Sequence, residues 1–401
     1  MTSSMKVMFI TTAYPSRASD ARGAHIHSLA KSLAAAGCAV TVVAPSAPGA
    51  LLHEVIDDVQ IRRFRYWLGP GQDLAVGVGG IVPNLQRRPK LALQVPPLLV
   101  GLIVNSIRYA RGHDVIHAHW LIPSGIAAIA ARRIWSIPVV VTGLGADVNL
   151  PKPGSLLARI VGWTGNSVDA CTAVSQALCD RLKTFGVRNP LLTPLGVEQP
   201  SLGSDSDAPV IGSTQLHVLY VGSLIPRKSV ETLLLALRIL TDRGICARAD
   251  IVGDGPERVG LEESSTSWGL DVQFHGEAPH SDVARWMQKS HVLVLPSLSE
   301  GRPVVVLEAM AAGLPVVVTD VDGTRELVQS GSNGYLFPVG DSDELANCLE
   351  KLTDGEIRAM LGATGAKRLI EAGLTSSAAA ERFTELYRAV QRDNRGNSPD
   401  E

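Results

Sequence analysis

Short runs of apolar, largely β-branched residues alternate along the whole chain with longer amphipathic stretches. The short runs predict strands, and the stretches between them predict helices that cover a sheet. This alternation is typical of doubly wound α/β domains. The strands are predicted at 6–11, 40–44, 60–63, 115–118, 138–142 and 170–173 in the first half, and at 217–221, 249–252, 272–275, 292–295, 315–319 and 334–337 in the second.

Between the two series of strands, residues 196–215 lose this periodicity and are rich in Pro, Gly, Ser and Asp, which predicts a linker. We therefore expect two Rossmann-like domains, residues 1–195 and 216–375, that face each other across a shared cleft. Ligands bind in this fold class at the carboxyl ends of the strands. Residues 376–401 are expected to form a helix that packs back on the first domain, followed by a disordered tail.

Composition agrees with buried parallel sheets and narrows the classes of function. Apolar residues make up 45% of the chain and aromatic residues 4%. The five cysteines are scattered and form no CxxC pair, so neither a disulfide framework nor a zinc site is predicted. No secretory signal is recognised near the N-terminus, and a cytoplasmic location is expected.

Charge is distributed unevenly between the halves. Residues 1–200 contain 19 basic and 10 acidic side chains, and residues 201–401 contain 18 and 29. The most apolar stretch, residues 95–107, is 13 residues long, against about 20 for a membrane span, and is expected to be a buried or interfacial helix. With nearby basic residues it suggests peripheral contact with an anionic membrane; ordinary solvated charge is the alternative. Nucleic acid is not expected, because aromatic residues are not interleaved with the basic ones.

Two glutamates surround a predicted helix start after the strand at 292–295. Glu300 precedes the helix, Pro303 is suited to its first position, and Glu308 lies about 7–8 Å further along the axis. A helix N-terminus attracts a diphosphate, and an ionised carboxylate accepts hydrogen bonds from sugar hydroxyls. For the glutamates alone, two solvated acids would be the simpler interpretation.

The surrounding sequence resembles the family 4 retaining glycosyltransferases, which have the GT-B fold. The resemblance covers essentially the whole chain and is strongest over 217–345. The matching segments are SEGRPVVVLEAMAAGLPVV at 299–317, YVGSLIPRK at 220–228, DGTRE at 322–326 and NGYL at 333–336.

The resemblance implies roles for individual residues. Glu308 is expected to bind the nucleotide ribose and Glu300 the transferred sugar, while Arg227 and Lys228 neutralise the donor diphosphate. Fixed cations would also stabilise the charge that develops as a diphosphate departs. Lys228 and Glu300 are further expected to act in catalysis. The full expected donor-binding set is Gly23, Gly222, Ser223, Arg227, Lys228, Gly253, Glu300, Gly301, Arg302, Pro303 and Glu308.

The acceptor side is expected to be formed by the segment DVIHAHWLIPSG at 114–125. Strand alternation places His117 and His119 on one side, with Trp120 at the strand's C-terminal end. The resemblance implies a histidine near the donor sugar; His119 is the closer match and the expected catalytic residue, with His117 as second choice. Asp147, after the next strand, is expected to orient the acceptor or a neighbouring side chain. Without the resemblance, a core pair of histidines would be the simpler interpretation.

Four positions depart from the family pattern. Ala24 stands where a second glycine usually follows Gly23, and Leu195 occupies a usual asparagine position. Ser223 replaces a common arginine and removes a phosphate cation. Arg302 replaces a common aromatic residue and is a candidate for restoring that charge.

No metal and no cofactor are expected. The histidine pair has no third ligand at a suitable spacing. The sequence DSD occurs at 205–207, in the linker, and at 341–343, where it opens a helix whose dipole acidic residues complement. Gly253 begins a Gly-Asp-Gly triplet that lacks the dinucleotide fingerprint and is expected to form a turn at the donor cleft.

These observations predict a metal-independent glycosyltransferase, and the resemblance implies that it retains the anomeric configuration. It would move a hexose-type sugar from a nucleoside-diphosphate sugar to a hydroxyl of a saccharide, a lipid-linked acceptor or a small molecule. Two alternatives stay open: a sugar-nucleotide epimerase of the same architecture, and a non-catalytic sugar-nucleotide-binding subunit.

Overall fold

The structure, a computed structural model, describes residues 4–16, 22–68, 71–76, 80–198 and 215–396. Its contacts divide the chain into two compact units, the first combining residues 1–196 with 376–401 and the second comprising 197–375. Most of the predicted linker, including the DSD at 205–207, lies outside the described residues.

The first unit is an α/β domain built on one eight-stranded sheet. Its strands are β1 (Lys6–Ile10), β2 (Ala39–Pro45), β3 (His53–Ile56), β4 (Val59–Phe64), β5 (Val115–His119), β6 (Val139–Gly143), β7 (Ala170–Ala173) and β8 (Leu191–Leu192). Its helices are α1 (Ala24–Ala35), α2 (Ile81–Arg87), α3 (Val95–Ala110), α4 (Ile126–Trp135), α5 (Ala146–Asn149), α6 (Leu156–Asn166), α7 (Gln176–Thr184) and, after the second unit, α15 (Ser376–Gly396).

The strand order β3-β4-β2-β1-β5-β6-β7-β8 defines where this sheet reverses. The chain runs outward from β1 to β2 and β4, then returns to place β5 on the other side of β1, pairing Ile10 with Ala118. Only β3 runs antiparallel among the described strands. The carboxyl ends of β1 and β5 are therefore the switch point of the first unit, where a doubly wound sheet opens a crevice.

The second unit repeats this plan with six parallel strands. Its strands are β9 (Leu216–Val221), β10 (Ala247–Val252), β11 (Val272–Gly276), β12 (Val292–Leu295), β13 (Val316–Thr319) and β14 (Gly334–Phe337). Its helices are α8 (Val230–Asp242), α9 (Arg258–Ser267), α10 (His280–Lys289), α11 (Val304–Ala311), α12 (Asp322–Arg325), α13 (Ser342–Lys351) and α14 (Gly355–Glu371). The order β11-β10-β9-β12-β13-β14 puts the switch point between β9 and β12.

All twelve predicted strands are present, and no end is shifted by more than two residues. The central strands β12 and β13 are buried at every position, as near-continuous apolar runs predict for parallel strands covered on both faces. The edge strands β3 and β8 were not predicted. The strand β8 is only two residues long and both are exposed, and β3 has no buried residue, so neither gives a strand-length pattern of buried apolar positions.

The last helix completes the core of the first unit. Ala379, Ala380, Phe383, Tyr387 and Val390, all on α15, are buried in the same cluster as β1 and β5. At the start of this helix the Ser376 hydroxyl lies 3.1 Å from that of Ser28 on α1.

Candidate active site

In the second unit, a cation and a carboxylate meet across the switch point. Lys228 follows β9 and Glu300 follows β12, and the Lys228 Nζ lies 2.5 Å from Glu300 Oε1. Arg227 lies 3.6 Å from the other carboxylate oxygen and donates to the Ser299 carbonyl at 2.7 Å. Burial opposes ionisation of Glu300, but Lys228 and then Arg227 outweigh it and hold the Glu300 pKa below its usual value. The three groups thus form a site with a net positive charge.

Backbone contacts fix the loop that carries the cations. The buried Tyr220 hydroxyl donates to the Ser223 carbonyl at 3.0 Å, and Leu298 donates its amide to the Arg227 carbonyl at 2.8 Å. Gly253, in the adjacent loop after β10, has a φ of 139°, and a Cβ there would overlap the carbonyl of Gly222. Gly253 is therefore required for the two loops to touch.

The loop after β12 is braced in a similar way by the loop after β13. Gly323 packs directly on it, since a Cβ at this position would lie 2.6 Å from the Glu300 carbonyl oxygen. Pro303 occupies the N-cap position of α11, which begins one residue later than predicted, at Val304. Gly301 lies between these contacts, and the partly buried Glu308 lies on α11 itself.

Arg302 is not a free phosphate cation. Its guanidinium is 7% exposed and donates to the Glu326 carboxylate at 2.9 Å, so its charge is already balanced. Its Nε and Nη1 atoms have no hydrogen-bond partner among the described residues. The predicted compensation for Ser223 is thus disfavoured, because Arg302 joins the start of α11 to the end of α12.

In the first unit, His119 ends β5 at the other switch point. It is fully buried, and neither ring nitrogen has a hydrogen-bond partner among the described residues. Its ring centroid lies 4.2 Å from that of His117 and 4.5 Å from that of Phe9. Burial, followed by the proximity of His117 and His25, lowers its pKa well below the usual value. His119 is therefore neutral at pH 7.

His117 corrects the prediction of an acceptor-side role. Its two ring nitrogens lie 2.7 Å from the Tyr387 hydroxyl and 2.7 Å from the Thr142 hydroxyl, and burial lowers its pKa to about 3. The alternation of side chains along β5 did predict that the two histidines lie on the same side of the strand. However, His117 is a core residue whose two ring nitrogens are both hydrogen-bonded.

Asp147 holds backbone amides, and its expected role in orienting the acceptor or a neighbouring side chain stays a prediction. Its carboxylate accepts hydrogen bonds from the amides of Leu121 at 2.9 Å and of Leu144 and Gly145 at 3.1 Å each. Burial raises its pKa, and these three hydrogen bonds oppose the rise. Asp147 thus ties the loops after β5 and β6 together and positions the turn after His119.

Trp120 and Gly23 complete the switch point of the first unit. Trp120 lies one residue beyond β5 with a φ of 71°, a strained conformation for a residue with a side chain. Gly23 precedes α1 with a φ of 68°, and a Cβ there would overlap the Ala13 carbonyl. The glycine is thus required by the fold itself, and its contact with a donor phosphate stays a prediction.

Three contributors at these sites were not predicted as such. Tyr220 and Glu326 lie inside matching segments, where the motif was a usable signal, but their partners depend on the folded loops. His25 stands close to Gly23 in sequence, and its proximity to His119 requires the β1–β5 pairing.

Among the described residues, no group of three His, Cys, Asp or Glu side chains is arranged to hold a metal ion. Asp341 caps α13 by accepting from the Glu344 amide at 2.9 Å.

Two family models match adjoining parts of the chain. The model described as Glycosyltransferase Family 4 matches residues 23–197, and Glycosyl transferases group 1 matches residues 204–368. A D-inositol 3-phosphate glycosyltransferase of Streptomyces scabiei is 27% identical over 419 residues, covering 94% of this chain and 88% of that protein.

Solved structures align with nearly the whole chain. Sucrose-phosphate synthase from Thermosynechococcus elongatus has a TM-score of 0.77 at 22% identity and covers 97% of this chain and 100% of that one. Anabaena HepE, in complex with UDP and glucose, has a TM-score of 0.73 at 20% identity and covers 95% and 99%. The fold is the GT-B fold. The chain belongs to the family 4 glycosyltransferases.

Proposed function

We propose that this glycosyltransferase moves a hexose-type sugar from a nucleoside-diphosphate sugar with retention of the anomeric configuration and without a metal. The observation that carries the proposal is the Lys228–Glu300 pair beside Arg227 at the switch point of the second unit. Two cations and a helix N-terminus there suit a diphosphate. A metal ion is not needed to balance the leaving group if Lys228 turns from Glu300 towards it.

In this mechanism the acceptor hydroxyl attacks from the face that the diphosphate leaves. The bond to the leaving oxygen breaks as the new glycosidic bond forms, and the hydroxyl proton passes to the departing phosphate. A double displacement would need a carboxylate nucleophile. Glu300 is already held by two cations, which favours a binding role. Neutral His119 would provide a hydrogen bond to the transferred sugar.

The acceptor is proposed to be a saccharide, a lipid-linked acceptor or a small molecule, reached by a protein at the cytoplasmic face of a membrane. The structure of HepE with UDP and glucose makes UDP-glucose the first donor to test. Because ligands that bind the native state raise its melting temperature, UDP-, GDP-, ADP- and dTDP-sugars would be compared by thermal shift. UDP, GDP, ADP and dTDP alone serve as matched controls.

The donor identified in this way would then be incubated with an acceptor panel, with and without EDTA. We expect transfer that EDTA leaves unchanged, and a product whose anomeric proton coupling matches that of the donor. An inverted product, or activity abolished by EDTA and restored by Mg²⁺, would contradict the mechanism. Conversion of a donor without acceptor would indicate an epimerase, and donor binding without turnover would indicate a binding subunit.

A further inference from the structure

The helix α3 presents two chemically different faces. Leu98, Leu102, Ser106 and Ala110, spaced four residues apart, are buried against the domain. Val100 and Val104, half a turn away on the opposite face, are 59% and 55% exposed. Including the short 3₁₀ turn before it, the apolar segment runs from Pro89 to Ala110, 22 residues long, and most of it lies outside the core.

This segment is longer than the 13 apolar residues predicted, but it is packed as a surface helix. Gly101 brings α3 against the sheet, because a Cβ there would lie 2.7 Å from the Phe64 ring. On its other side α3 packs along α4, where the Trp135 indole donates to the Ile107 carbonyl at 2.8 Å. One face is thus part of the core while the other remains open.

Basic residues continue the row of exposed valines on α3, and further basic residues precede the helix in sequence. Arg108 and Arg111 continue the exposed row towards the C-terminus of α3, and the Arg111 guanidinium lies 5.6 Å from the Trp135 ring centroid. Before the helix, Arg87, Arg88 and Lys90 are exposed, and the Arg88 guanidinium lies 3.4 Å from the Asp73 carboxylate. From residue 74 to residue 113 the sequence contains these five basic residues and no acidic residue.

We propose that this α3–α4 face, defined by Val100, Val104, Trp135, Arg108 and Arg111, binds the surface of an anionic lipid bilayer. An apolar stripe with basic borders matches the boundary between acyl chains and anionic headgroups, and indole rings favour that depth. Two copies of this face would oppose like charges, which disfavours a homodimer. This proposal deepens the proposed function by naming the surface that the protein would bind. It rests on the proposed function only in so far as a lipid-linked acceptor would lie in that surface.

The test is co-sedimentation with vesicles, because it requires no sugar transfer. The full chain would be mixed with phosphatidylcholine vesicles containing 30% phosphatidylglycerol and with phosphatidylcholine vesicles alone. We expect binding to the anionic vesicles and release by 0.5 M NaCl, as for a peripheral protein. Retention after both high salt and alkaline carbonate would indicate an inserted span and overturn the proposal.

Two variants locate the contact. Val100→Glu with Val104→Glu, and separately Arg108→Gln with Arg111→Gln, should each lower the partition coefficient about tenfold or more. Matched controls in the second unit are Val259→Glu, at a valine 66% exposed, and Arg285→Gln with Lys367→Gln, both exposed. The controls should bind as the wild type does. All positions are exposed, and thermal unfolding would verify that each variant folds.

Equal binding by the variants and the wild type, or no binding to anionic vesicles, would overturn the proposal. So would a dimer, detected by sedimentation without lipid, that Val104→Glu dissociates. Failure of the membrane proposal can be distinguished from failure of the proposed function by assaying sugar transfer to a soluble acceptor. Unchanged transfer by a variant that no longer binds vesicles supports this surface. Absence of transfer in every protein, wild type included, counts only against the proposed function.

Discussion

At the scale of residues, hydrogen bonding separates two histidines that the sequence pattern treats alike. His117 and His119 are both fully buried on β5, yet His117 bonds two hydroxyls and His119 bonds none of the described residues. Alternation predicted their common side. It could not predict which one is satisfied, because Tyr387 lies 270 residues further along the chain.

A matched pair of substitutions tests this distinction. His117→Leu would remove the partner of the buried Tyr387 hydroxyl and one of the two partners of the Thr142 hydroxyl, which also lies 2.6 Å from that of Thr172. It should lower the free energy of unfolding by about 1–3 kcal/mol. His119→Leu should cost less stability but reduce transfer by about 10²-fold or more, as for a group that contacts the substrate. Chemical denaturation and initial rates measure the two effects. Equal losses of stability with unchanged turnover in His119→Leu would contradict the assignment.

The same histidines make the protein sensitive to acid. Burial lowers the pKa of His117 to about 3 and also lowers the pKa of His119. In the unfolded chain both pKa values are about 6.5. Between these values the unfolded state binds more protons, so stability rises with pH by up to ~1.4 kcal/mol per unit for each group. A variant lacking both histidines should show a flatter dependence of unfolding free energy between pH 7 and pH 5. An unchanged slope would rule this origin out.

Lys228 and Arg227 should differ in their effect on donor binding. The Lys228 side chain is 14% exposed and Arg227 is 48% exposed, so water screens the lysine less. Lys228→Met should weaken binding of the nucleoside diphosphate about tenfold or more, and Arg227→Met should weaken it less. Calorimetric titration gives both affinities, with Lys367→Met as the control. The proposal fails here if Arg227→Met proves the more damaging change.

At the scale of elements, the candidate site is a product of strand order. The sequence placed Lys228 after one strand and Glu300 after another, but their contact follows only because β12 pairs with β9 rather than with β11. In the same way, the amides that donate to Asp147 come from the loops of two neighbouring strands. Sequence motifs can therefore predict which residues belong to the candidate site, whereas the pairing of the strands determines which residues are in contact.

The contact between the loops after β9 and β10 can be tested at two glycines. Gly253→Ala should destabilise the second unit, because φ is 139° and the added Cβ would overlap the Gly222 carbonyl. Gly260, exposed on α9 with open space where a Cβ would lie, is the matched control, and Gly260→Ala should raise stability by about 0.5–1 kcal/mol. Thermal unfolding compares the two. A neutral Gly253→Ala would mean that the loops do not require this approach.

At the scale of the whole molecule, the second unit is an insertion within the first. The chain leaves the first unit at residue 196 and returns to it at 376, and the two ends of the second unit meet where Val197 donates its amide to the Leu374 carbonyl at 3.1 Å. The apolar periodicity after residue 375 predicted a helix. Its place against β1 and β5 depends on the tertiary contacts of Phe383 and Tyr387.

Removing residues 376–401 should therefore damage the first unit alone. Its core would lose Phe383 and Tyr387, and truncating a buried aromatic side chain costs about 3–5 kcal/mol. We expect the truncated chain to lose the unfolding transition of the first unit, while residues 197–375 expressed separately still unfold cooperatively. Calorimetry resolves the two transitions. A truncated chain with both transitions intact would show that α15 is dispensable.

The return of α15 to the first unit also sets the order in which the protein can form during translation. Phe383, Tyr387 and Val390 belong to the core of the first unit, but the ribosome reaches them only after it has made all of residues 197–375. The second unit can therefore fold while it emerges, whereas the first must wait, incomplete and with apolar surface uncovered, until its last helix leaves the exit tunnel. The half of the chain that is made first is therefore the half whose core is completed last.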